Sequence, residues 1–129
     1  MLIIATSGGL STLAADIADE AGLELPDFDE DIKKRLSKIL LPQIKAKKPL
    51  DIGQIQSDPY MCTASPDILE EYDSLLLIFG DAVEDASKII PGCRANTDIP
   101  IAMLFSGGDR PRSKNGKKFI NSMYPFILL

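Results

Sequence analysis

The stretch IATSGGLSTLAADIADEAG, residues 4–22, decides the fold. With Met1, Leu2 and Ile3 before it, its first two residues complete a short apolar run of the kind that forms a buried strand. Leu10, Leu13, Ala14, Ile17, Ala18 and Ala21 then recur at helical spacing, which predicts a helix packed through these residues and capped by Gly22. Ser7, Gly8 and Gly9 fall on the turn between strand and helix. Amides at such a helix start lack intrahelical partners and point outward, so the turn is a candidate anion site wherever a ligand can approach the glycines closely.

Composition bounds the rest. The chain has 129 residues, which suits one domain over residues 1–129, burying about 65–70% of the surface its unfolded chain exposes. Hydrophobic residues make up 45% and charged residues 26%, as in ordinary globular proteins, and no apolar stretch approaches the length of a membrane span. No basic leader precedes the first apolar run, so a cytoplasmic location is expected. The formal net charge of -5 argues against nucleic acid as a partner. Cys62 and Cys93 have no metal-binding spacing and read as free thiols. The sequence contains no histidine, so phosphohistidine chemistry, imidazole acid-base catalysis and histidine metal ligation must come from elsewhere.

Elements alternate along the chain. Leu23 to Pro26 reads as a short second strand, and residues 27–41 as a helix with Phe28, Ile32, Leu36, Ile39 and Leu40 on one face. That helix has acidic residues first and basic residues last, in keeping with its dipole, and Pro42 ends it. Leu50 to Ile52 can add a minor strand. Residues 65–72 suggest one or two helical turns with Ser65 as N-cap and Pro66 first in the helix. Ser74 to Gly80 is a buried strand, residues 81–90 a helix, and the run from Ile99 another strand ending in Ser106, Gly107 and Gly108. A weaker helix is expected over 113–123 and a last strand over 124–129.

This alternation predicts an α/β fold: three αβα layers around a parallel, flavodoxin-like sheet of about five strands. Right-handed crossovers bring the strand-to-helix turns to one sheet edge, where open α/β sheets bind ligands. Ser7, Gly8, Gly9, Gly80, Ser106, Gly107 and Gly108 converge there as candidate phosphate- or ligand-binding residues. Asp109, Arg110, Arg112, Lys114, Lys117 and Lys118 follow as a local charged, mostly basic cluster, suited to phosphates or an acidic surface. Each feature also has a plainer reading, a tight turn for the glycines and a solvated face for the charges. Flavin binding is disfavoured because the chain has no Trp and only Tyr60, Tyr72 and Tyr124 as tyrosines. A phosphoacceptor receiver would need an acidic pair after the first strand, where Ser and Gly stand, and neither GxGxxG nor GxxxxGK[ST] occurs.

The order of pieces resembles the flavodoxin-like ligase module of NDP-forming acyl-CoA synthetases, related to the C-terminal domain of the succinyl-CoA synthetase beta subunit. The pieces are a strand into SGG, LAAD early in the first helix, EAGLELP, an acidic-capped helix ending in LLP, then KPLDI. Pro49, Leu50 and Asp51 match the family's Asn-Pro-hydrophobic-Asp, and Lys48 departs from it. SLLLIFGDA and IPIAMLFSGGD resemble its third and fourth strands, so the likeness covers nearly the whole chain.

The resemblance implies part of an acid-thiol ligase in which acid, CoA and NTP interconvert with acyl-CoA, NDP and phosphate. Partner domains or subunits would carry the phosphohistidine, CoA on a Rossmann-like domain, and ATP or ADP with Mg on an ATP-grasp domain. This chain would hold no intrinsic cofactor, metal site or catalytic residue and would be inactive alone, in a possible oligomer. Ser7, Gly8 and Gly9 or the Gly80 turn would face the phosphate, and Asp51, counted with them among the candidate phosphate- or ligand-binding residues, would organise the adjoining loop. Asp16 reads as a solvated helix carboxylate. The alternative is a free-standing phosphate-, nucleotide- or CoA-binding regulatory module that retained the fold without catalysis.

Overall fold

In the computed structural model, the described residues are 1–53, 66–80, 95 and 97–106. They form β1 (Leu2–Ala5), α1 (Gly8–Glu20), α2 (Glu30–Ile39), β2 (Leu50–Asp51), α3 (Pro66–Leu69), β3 (Leu75–Gly80) and β4 (Ile101–Ser106). The four strands make one sheet in the order β2-β1-β3-β4, all pairs parallel. This is the flavodoxin-like order, with β1 and β3 at the centre and a change of winding direction between them.

The central strands β1 and β3 are continuous apolar runs because side chains on both sheet faces are packed against helices. On one face Leu2, Ile4, Leu50, Ile52, Leu75, Leu77, Phe79 and Met103 meet Phe28, Ile32, Leu36 and Leu40 from α2 and its flanks, and Ile68 and Leu69 from α3. On the other face Ile3, Ala5 and Ile78 form a smaller cluster with Leu10, Ala14 and Ala15 of α1. The alternation follows from the two-residue period of a strand.

α2 matches its sequence pattern. Asp29 is its N-cap, accepting from the Ile32 amide at 2.6 Å, and Glu30, Asp31 and Lys38 sit at the ends that suit the dipole. Leu40 leaves the helix in an extended conformation two residues before Pro42, and Ile39 is only half-buried. The Arg35 guanidinium pairs with Asp31 at 2.6 Å and donates to the Asp67 carbonyl at 2.8 Å, tying α2 to α3. Asp29→Ala is expected to lower stability by about 1 kcal/mol through loss of the cap, read as a lower urea midpoint at unchanged m-value.

Tyr72 packs edge-on against Phe28, ring centroids 6.4 Å apart, and burial pushes its phenol up to about 12, with Asp29 and Glu71 adding to the shift. A phenol in the unfolded chain ionises near pH 10. Between about pH 10 and 12 the unfolded state therefore releases a proton the folded state keeps, so stability falls as pH rises through that window, with no contribution below it. Urea midpoints from pH 9 to 11 are expected to decline in the native chain and to decline less in Tyr72→Phe.

Two sequence expectations are corrected. The segment Leu23 to Pro26 forms no strand: the Glu24 carbonyl accepts from the chain's amino terminus at 2.8 Å and the Leu25 carbonyl from the Lys48 amine. Charged donors thus take the carbonyls that a ladder would have used, and Pro26 has no amide to offer. The minor strand at Leu50–Asp51 is the one that lies beside β1.

The second correction concerns α1, whose helical period is right but whose inward face is turned. Ser11 and Ala18 are buried, whereas Leu13 and Ile17 are 54% and 56% exposed and Ala21 is exposed too. Small residues let the helix lie close on β1, and the buried Ser11 hydroxyl is satisfied by donating to the Gly8 carbonyl at 2.9 Å. Gly22 ends the helix as expected, with φ +73°; its amide bonds the Asp19 carbonyl and that of Leu23 bonds Ala18, a complete Schellman closure.

The helices expected at 81–90 and 113–123, the strand at 124–129, Ser65, Cys62, Cys93, Tyr60, Tyr124 and the basic cluster from Arg110 to Lys118 lie outside the described residues. No helix among the described residues is long and apolar enough to cross a membrane.

Candidate functional site at the carboxyl edge of the sheet

β1 ends at Ala5 and the chain passes through Thr6 and Ser7 directly into α1. The Thr6 amide donates to the Ile78 carbonyl at 3.1 Å and the Ile52 amide to the Ala5 carbonyl at 2.8 Å, so the end of β1 is held between β3 and β2. Ser7 is the N-cap in extended conformation, but its side chain makes no capping bond. The first return bond of α1 runs from the Ser11 amide to the Ser7 carbonyl at 2.9 Å. The amides before it belong to the helix end that carries partial positive charge. α1 has no acidic residue of its own in the first turn.

The negative charge at this end comes from β2. Asp51 Oδ2 lies 2.7 Å from where a Cβ on Gly8 would stand, far inside normal contact, so glycine at position 8 lets the carboxylate sit against the start of α1, and any side chain there would displace it. Asp51 Oδ1 accepts from the Gly53 amide at 2.9 Å, and Gly53 has φ +67°. Gly9 differs: a Cβ there would meet nothing within 4 Å. The two adjacent glycines, equal in sequence, therefore face different things, Gly8 a carboxylate of its own chain and Gly9 open space.

Gly80 pairs with Ser106 across β3 and β4, and Ala5 pairs with Ile78, so Gly80 stands two residues beyond the level of Ala5. Ser106 is exposed. Strands are spaced by about 4.8 Å, which places β4 roughly 10 Å from β1. Ser7, Gly8 and Asp51 are thus one local group, Gly80 stands on the next strand, and Ser106 on the strand after that. Gly107 and Gly108 lie outside the described residues. Sequence reading missed Gly53, whose amide orients Asp51; the spacing Asp-x-Gly at 51–53 was the available signal, since an Asp side chain commonly accepts from the amide two residues on.

No family model matches this chain, and no curated relative does. Solved structures do. The protein PH0766 of Pyrococcus horikoshii OT3 superposes with a TM-score of 0.76 at 23% identity, over 95% of this chain and 30% of its own. A dinucleotide forming acetyl-coenzyme A synthetase 1 from Ca. Korarchaeum cryptofilum, in complex with phosphate and ADP, gives 0.74 at 17% identity over 95% and 26%. Its apo form gives 0.74 at 16% identity over 95% and 27%. The chain thus spans under a third of the length of the proteins it resembles. At these identities the likeness is one of fold: this chain has the architecture of one unit within larger proteins, an acetyl-coenzyme A synthetase among them.

Proposed function

We propose that this chain serves as a domain of an NDP-forming acyl-CoA synthetase, presenting the amino end of α1 to the phosphate or phosphohistidine formed during the reaction. The observation that supports this most is the placement of α1: its first turn opens at the carboxyl edge beside the β1/β3 winding change, with Ser7 making no side-chain cap and Gly9 open. Amides at such a helix end would stabilise charge gathering on a phosphoryl group. The phosphorylated histidine comes from another domain, because this sequence has none. CoA, ADP or ATP and Mg are assigned in this reading to partner domains.

The anion approaches over Gly9, since Asp51 closes the Gly8 side. Asp51 organises the turn rather than binding phosphate, and its charge opposes an anion nearby. Asp51→Asn is accordingly expected to tighten binding of inorganic phosphate about three- to tenfold at low salt, as removal of one like charge a few ångströms away should. Titration calorimetry of the two chains reads this directly. Equal affinity would remove Asp51 from the site, and absence of phosphate binding in both would remove the site itself. The domain assignment is tested separately, by isolating the native species and identifying its components by mass spectrometry. ATP-grasp and CoA-binding domains in the same particle support it. A lone 14.0 kDa chain would leave a binding module without catalysis.

A further inference from the structure

We draw no further inference here: the strongest candidate, the open cleft lined by Ala15 and Asp19 of α1, residues 22–26 and the Lys48–Pro49 pair, carries nothing, because Lys48 already serves the Leu25 carbonyl and the Asp27 carboxylate, and the acidic residues Asp19 and Glu24 that remain have nothing in the structure to show what would fill the space beside them.

Discussion

A Gly8→Val chain is expected to bind inorganic phosphate at least about tenfold more weakly than the native chain and to lose about 1–3 kcal/mol of stability, the usual range for an overpacked site. The new Cβ would fall 2.7 Å from Asp51 Oδ2. Moving that oxygen away costs the bond that Oδ1 accepts from the Gly53 amide, and the buried neighbours Leu50 and Ile52 hold the backbone of β2 in place. Either α1 lifts from β2 or the carboxylate is pushed toward the open Gly9 side, where an anion would have to sit. Asp51→Ala should restore most of the lost stability in the double variant, since it removes the colliding atoms. Gly9→Ala, introduced into open space, should change stability by less than about 0.5 kcal/mol. Phosphate binding that survives Gly8→Val in a folded chain would show that the anion site lies elsewhere.

Leu36→Ala is expected to lower stability by about 2–5 kcal/mol, the cost of emptying a well-packed leucine site. Leu36 is fully buried on the inner face of α2, in the cluster that joins α2 to the sheet through Leu2, Ile4, Leu77 and Phe79. The informative comparison is Leu13→Ala on α1. Both leucines sit on helices at positions that periodicity alone makes equivalent, yet Leu13 is exposed and its loss should change the isolated chain's stability by less than about 0.5 kcal/mol. Urea unfolding of the two variants at matched pH separates them. A large loss for Leu13→Ala would mean that α1 is turned the other way on the sheet.

The same pair of helices shows what the sequence could and could not disclose. α2 was legible because its apolar face is made of large residues, its cap is an aspartate and its charges run with the dipole. In α1, alanines occur on several sides, and a serine that finds its own backbone partner can go inside, so periodicity named the element and missed its orientation. β1 and β3 were plain because a central parallel strand is apolar on both faces, and β4 was plain as a continuous apolar run from Ile101 to Phe105. Leu23 to Pro26 has a similar short apolar pattern, but ammonium groups from distant parts of the chain take its carbonyls, which local reading cannot foresee. At the site, Ser7, Gly8 and Gly9 were visible as a turn. The contact of Gly8 with Asp51 depends on β2 being the neighbour of β1, a fact of topology rather than of local composition.

β2 is only two residues long, and Asp51 lies between Leu50 and Ile52, both almost wholly buried in the main core. Because successive side chains leave a strand on opposite sides, seating those two neighbours in the core is what aims the carboxylate at α1. A shift of pairing by a single residue would drive the charge into hydrocarbon and turn two aliphatic groups toward the helix, so the interior of the molecule acts as a key that admits only one setting of its surface electrostatics.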